Sequence, residues 1–170
     1  MPVSLLPKVI TNQITDLTSV YLSGCGIRLL MMDFDNTIVP YTTDVPADDI
    51  LRWLADMKTS EIQLCIVSNS KRNRVKDFAY RYDIPCITHA GKPGTKGIRK
   101  CLQCFHVEPE HAALVGDQIF TDTLGANCAG VTSILVRAID NHNFWLKARH
   151  VAELPFIFVA KRRRLKYEKH

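Results

Sequence analysis

No stretch of this chain approaches the roughly 20 consecutive apolar residues that a bilayer-spanning helix requires, so the sequence offers no spanning helix. No basic segment followed by a long apolar run opens it, which argues against a secretory signal and makes a cytoplasmic location the expectation. Internal repeats and low-complexity tracts are missing. The six cysteines are irregularly spaced; a domain of this length does not need disulfides, and cytosolic thiols stay reduced. Cys101 and Cys104 form a Cys-x-x-Cys pair without the companion pair of a structural zinc site. They fall late in an expected helix, where the dipole does not favour a thiolate, so both read as core thiols. An excess of one charge sign is also missing from the body. The last ten residues hold six Lys or Arg and one Glu; 22 basic less six and 17 acidic less one leaves sixteen of each.

What is present describes an ordinary globular protein, 46% hydrophobic and 23% charged over 170 residues. That length suggests one domain over 1–170, with a helical lead-in at 1–26 and an apolar then basic tail at 154–170. Within the tail, the apolar run 154–160 precedes Lys161-Arg162-Arg163-Arg164. A run so short cannot span a bilayer, but could lie in an interface, each basic residue adding about 1 kcal/mol on anionic lipid. A final element packed on the body, ending in a solvated terminus, is the plainer reading. Peripheral contact with a membrane stays open; nucleic acid is not an expected partner.

Hydrophobic periodicity predicts strands and helices in alternation. Ile10, Ile14 and Leu17 share a helical spacing, predicting a short helix over 10–17. The apolar runs ending at Met32 and Val67, the brief extended piece 86–88, and the runs 112–115 and 133–136 read as strands. Segments 46–57, 72–82, 95–105 and 121–129 read as helices, the last stopped by Gly130. This order predicts a three-layer α/β fold with a mainly parallel central sheet. Ligands of such sheets bind beyond the carboxyl ends of the strands. The residues found there are Asp33-Phe34-Asp35-Asn36-Thr37, Ser68-Asn69, Lys92, and Gly116-Asp117 followed by Asp122.

These residue types suit phosphate and magnesium. Asp33 and Asp35 are two apart, so both carboxylates can face one site while Phe34 turns to the core. Their repulsion is relieved by a cation, and Mg2+ favours oxygen ligands. Asp117 is the third contributor. One carboxylate can attack phosphorus to form an aspartyl-phosphate, and a second can serve as acid and then base. Ser68 and the backbone amides near Asn69 can donate to phosphate oxygens. Lys92 supplies a positive charge against them. His89 reads as a polar loop residue. Gly91 to Gly97 does not satisfy the Gly-x-x-x-x-Gly-Lys-Ser/Thr nucleotide loop.

The set resembles the haloacid dehalogenase (HAD) superfamily of phosphatases. Asp33-Phe34-Asp35-Asn36-Thr37, Ser68 after Ile66-Val67, Lys92 before Pro93, and Gly116-Asp117 with Asp122 match its four signatures in order. The resemblance implies that Asp33 is the nucleophile and Asp35 the general acid/base. It also implies that Asp33, the Asp35 backbone carbonyl and Asp117 hold magnesium, that Asp122 supports the metal site, and that Thr37 braces the loop. Over most of the chain, Val67-Ser68-Asn69, Gly116-Asp117-Gln118-Ile119-Phe120-Thr121-Asp122 and Gly125-Ala126-Asn127 look like the YqeG-type subgroup, class IIIA. That subgroup is similar to phosphatidylglycerophosphate phosphatases of mitochondria and plastids, which makes a lipid phosphate the expected substrate. Gly94-Thr95-Lys96 departs from the subgroup pattern. About thirty residues separate Asp35 from Ser68 and about two dozen separate Ser68 from Lys92, too few for a cap domain. The site is therefore expected to be open, as suits phosphates on bulky or membrane-embedded molecules. Two other functions fit the same residues: a phospho-accepting signalling module resembling a response-regulator receiver, and a scaffold without turnover. Asp35 separates the first from a phosphatase, because a receiver has no general acid two residues past its phospho-accepting Asp.

Overall fold

The computed structural model describes residues 4–71, 73–140, 155 and 158–159. The basic tail, most of the apolar run before it, and Arg72 lie outside them.

Among the described residues, six parallel strands form one sheet: β1 (Val9–Ile10), β2 (Leu29–Met32), β3 (Gln63–Val67), β4 (Cys86–Ile87), β5 (Ala112–Gly116) and β6 (Thr132–Leu135), in the spatial order β1-β6-β5-β2-β3-β4. β2 lies between β3 and β5, with Met32 opposite both Ile66 and Val115. Its residues are buried on both faces, which is why it is a continuous apolar run and not an alternating one. Among the described residues, the named α-helices are α1 (Ser19–Gly24), α2 (Asp48–Lys58), α3 (Asn73–Arg81), α4 (Lys96–Phe105) and α5 (Leu124–Ala129).

Successive strand residues feed opposite cores, as the two-residue side-chain period requires. Leu30, Met32, Ile66 and Val115 pack with Trp53, Met57 and Phe78 of α2 and α3. Leu29, Met31, Val67 and Leu114 pack with Ile98, Leu102 and Ala126 of α4 and α5. Each fully buried Leu or Met contributes about 1.5–3 kcal/mol relative to exposure. The chain leaving β2 therefore turns to one face, and the chain leaving β5 to the other. A crevice opens between their carboxyl ends, where ligands of open α/β sheets bind.

Two expected elements differ. The segment 10–17 is not a helix. Val9 and Ile10 form an edge strand on β6, opposite Ile134 and Leu135, and Ile14–Asp16 make a 3-10 turn. The reason is local competition. The Asp16 carboxylate accepts from Thr11 Oγ1 at 2.6 Å and from the Asn12 and Gln13 N–H groups at 3.1 Å, which closes the segment on itself. Ile14 and Leu17 are buried all the same. The second difference is at 121–129, where a π-helical turn over Ile119–Thr123 precedes α5. Gly130 ends α5 at φ 80, the left-handed conformation that favours glycine at a helix C-terminus. All six cysteines are free thiols. Cys101 is buried as expected, whereas Cys104 is exposed, because at about 100° per residue it sits roughly 60° beyond Cys101 on the side away from the buried Ile98 and Leu102.

Candidate active site

Asp33 is the first residue past β2. Its N–H donates to Val115 O at 2.9 Å, extending the ladder one residue and presenting the carboxylate at the crevice. Phe34 turns into the core. Its carbonyl accepts from the N–H groups of Thr37 (3.4 Å), Ile38 (3.1 Å) and Val39 (3.3 Å), so the loop winds round one oxygen. Asn36 takes the left-handed conformation at φ 61, which a short amide side chain tolerates. The backbone N–H of Thr37 thus closes the loop. Its hydroxyl is buried without a hydrogen-bond partner among the described residues.

Asp117 follows β5 in the same way and is buried. Asp122 reaches back from the π-helical turn. Its Oδ2 accepts from Gln118 N–H at 3.1 Å, and its carboxylate lies against Gly116, where a Cβ would stand 2.4 Å from it. Only glycine at 116 leaves room for that approach. π-Helical turns recur at functional sites because they redirect a side chain. Here the redirected group is Asp122.

Ser68 follows β3. Its Oγ accepts from Ser70 N–H at 3.0 Å, which leaves its O–H to donate elsewhere. Its carbonyl accepts from Ala90 N–H at 3.0 Å, tying this loop to the one that carries Lys92. Asn69, whose backbone is the expected phosphate donor, has a separate task for its side chain. Its side-chain amide donates to Lys92 O and accepts from Lys92 N–H, both at 2.8 Å. This paired contact orients the lysine. Asn69→Ala removes both bonds and is expected to lower phosphate release by about 10- to 100-fold, the effect of slightly misplacing a reacting group. Steady-state rates on a soluble phosphomonoester check this; an unchanged rate would show that Lys92 is held by other contacts.

Lys92 Nζ lies 2.7 Å from Asp33 Oδ1 and 2.7 Å from Asp122 Oδ1. Burial works against its charge, but Asp122 and Asp33 together raise its pKa above that of an ordinary lysine. Burial pushes the Asp33 carboxyl up to about 7 even though Lys92 pulls it down; Asp122 and Asp35 add to the rise. Asp33, Asp117 and Asp122 each offer an oxygen within 4.8 Å of the others. When all are ionised, three carboxylates against one ammonium leave two negative charges in excess, and all the donors are hard oxygens. That donor set fits a divalent cation. The expected metal ligands are the Asp33 and Asp117 carboxylates and the Asp35 backbone carbonyl; the structure brings the two carboxylates together with that of Asp122. The Asp35 carboxylate faces Arg74, whose Nη1 is 3.2 Å from its Oδ1.

Asp33, Ser68, Asn69, Lys92 and Asp122 line an open cleft of about 430 Å³, whose wall also includes Asp35, Tyr41, Lys71, Gln118 and Thr121. Tyr41, Gln118, Thr121 and Arg74 are not reached by reading the sequence. A signal existed only for Arg74, a cation at a helix N-terminus, where the dipole opposes it. His89 is outside the cleft lining, its Nδ1 3.3 Å from Thr88 Oγ1. Among the described residues, no helix is long and apolar enough to cross a membrane.

Residues 89–148 match the model of a family described as HAD-hydrolase-like. The chain is 32% identical over 131 residues to the probable phosphatase YqeG of Bacillus subtilis, covering 77% of this chain and 76% of that protein. It is 31% identical over 127 residues to the mitochondrial phosphatidylglycerophosphatase GEP4 of Saccharomyces cerevisiae, covering 66% and 68%. Among solved structures, 3-deoxy-D-manno-octulosonate 8-phosphate phosphatase from Yersinia pestis shares the fold, with a TM-score of 0.53 at 20% identity over 78% of this chain and 74% of that one.

Proposed function

The chain belongs to the HAD superfamily of phosphatases, in the YqeG-type class IIIA subgroup, and from that membership we propose a magnesium-dependent phosphomonoesterase that works through an Asp33 phospho-intermediate on the phosphate of a bulky lipid. The carrying observation is the buried lysine bridge. Lys92 joins Asp33 and Asp122 at 2.7 Å each, beside a carboxylate cluster at the mouth between β2 and β5.

In this reading a carboxylate oxygen of Asp33 attacks phosphorus as the ester P–O bond breaks, and Asp35 gives its proton to the departing alkoxide. Asp35 then takes a proton from water. The water oxygen bonds to phosphorus, the bond to Asp33 breaks, and inorganic phosphate leaves. Ser68 and the backbone at Asn69 donate to the phosphoryl oxygens, and Lys92 offsets their charge. Magnesium held by Asp33 and Asp117, with Asp122 in support, would neutralise charge on the phosphoryl group. Phosphoryl transfer needs mainly positioning and electrostatics, and these rigid strand ends supply both.

The lipid part of the proposal draws on the similarity to the yeast phosphatidylglycerophosphatase and on the openness of the cleft. The short connections after Asp35 and Ser68 carry no cap, so a phosphate standing on a surface could reach Asp33. The test is phosphate release from phosphatidylglycerophosphate in mixed micelles, beside p-nitrophenyl phosphate, each with MgCl2 and with EDTA. Magnesium-dependent release from the lipid is the expected result. Release from the soluble ester alone would retain the phosphatase and discard the lipid.

A further inference from the structure

One buried cation has no part in the reaction as written. Arg74, the second residue of α3, has a side chain only 9% exposed. Its position is unfavourable on two counts. The guanidinium sits at the positive end of the helix dipole, and a buried charge is costly unless paired and hydrogen-bonded. It therefore does not serve the helix.

Its partners show what it does serve. Nη1 lies 3.2 Å from Asp35 Oδ1, and Nε lies 2.6 Å from Asp44 Oδ1. Nη1 also donates to Tyr41 O at 3.3 Å, and Nη2 donates to Pro40 O at 3.1 Å and Thr43 O at 2.7 Å. The guanidinium carbon stands 5.2 Å above the ring of Phe34, the residue between Asp33 and Asp35. One planar fork thus ties together the Asp33–Asp35 loop, the segment 40–44 and the start of α3. Asp35 and Tyr41 both line the cleft.

We infer that Arg74 is a positioning residue for this reaction: it fixes the Asp35 carboxylate and the 40–44 wall of the cleft as one rigid unit. The inference rests on the reading of Asp35 as the acid for the leaving group. Proton transfer needs the carboxyl within hydrogen-bond reach of the departing oxygen, and an aspartate released from its guanidinium partner gains rotamers that miss it. Lysine cannot substitute fully. A point charge can stay near Asp35, but it cannot also serve three carbonyls in different directions.

Leaving-group dependence separates this role from mere support of the fold. p-Nitrophenolate departs with little need of a proton, whereas the alkoxide of β-glycerophosphate needs one. Arg74→Met is expected to lower kcat/KM on β-glycerophosphate by about 100-fold, the scale of a misplaced acid, and on p-nitrophenyl phosphate by less than about 10-fold. Arg74→Lys should fall between, with the ratio of the two substrates shifted by roughly tenfold; that ratio decides the matter if the methionine variant does not fold. Asp35→Asn, measured beside them, should show the same selectivity in stronger form. Equal losses on both substrates in the Arg74 variants, with Asp35→Asn still selective, would overturn the inference and leave the reaction scheme standing. An unselective Asp35→Asn would instead remove the acid role of Asp35, and this inference with it.

Discussion

Asp33→Asn is expected to lower magnesium-dependent phosphate release by on the order of 10⁴-fold or more, the scale seen when a nucleophile acting with its partners is removed. It should also make the metal-free protein more stable above neutral pH. Burial holds the Asp33 carboxyl at about 7 against an ordinary 3.8, with Lys92 opposing and Asp122 and Asp35 reinforcing. Its folded pKa is raised, so between about pH 4 and 7 the folded chain keeps a proton that the unfolded chain releases. The contribution of Asp33 to stability is therefore full below about pH 4, lost as pH rises to 7, and absent above. Asparagine imitates the neutral form, so the variant should lose that slope. A divalent cation competes with the same proton, so the rise in Tm caused by MgCl2 in the native protein should be large at pH 8 and small at pH 5. Melting curves from pH 5 to 8, with and without MgCl2, report all three effects. A variant that keeps its activity would move the nucleophile away from Asp33; a slope that survives the substitution would assign the buried proton to another group.

Lys92→Met is expected to have the largest effect on stability. It leaves Asp33 and Asp122 buried without the ammonium that lies 2.7 Å from each. At pH 8, where Asp33 is ionised, removing one member of a buried ion pair costs about 3–5 kcal/mol. At about 2–4 °C per kcal/mol for a domain of this size, Tm should drop by roughly 6–20 °C. Phosphate release should fall by about 10²- to 10³-fold, the usual loss of one electrostatic donor at a phosphoryl or oxyanion site. MgCl2 should restore more of the Tm in this variant than it adds to the native protein, because the cation becomes the main counter-charge to the cluster. Lys92→Arg should not rescue, since a planar guanidinium does not fit a compact charge held between two carboxylates. An unchanged melting temperature in metal-free buffer would mean that the cluster is not jointly charged in the folded chain.

Some of this molecule was legible in advance. β2, β3, β5 and β6 were readable because a parallel strand buried on both faces must be a continuous apolar run. The residues just beyond them were readable because ligands bind at the carboxyl ends of such strands. β1 was not readable. It is two residues long and exists only because β6 offers an open edge, while Asp16 draws the following turn away from the helix that Ile10, Ile14 and Leu17 suggest. Asp35 already spoke against the receiver-like alternative, and the relatives named as phosphatases agree with that.

The chemical inventory is written in the order of the residues: an Asp pair, a Ser, a Lys and a second acidic motif, each placed after a hydrophobic strand, with neutral charge in the body and too little chain for a cap. Which of these groups meet follows from the fold. Asp122 joins Asp33 and Asp117 because a π-helical turn swings it over Gly116. Asn69 grips the backbone of a lysine 23 residues away, and Arg74 reaches carbonyls 31 to 34 residues before it. Pairings at such separations are set by strand order and by the direction of a few side chains, and no local pattern encodes either.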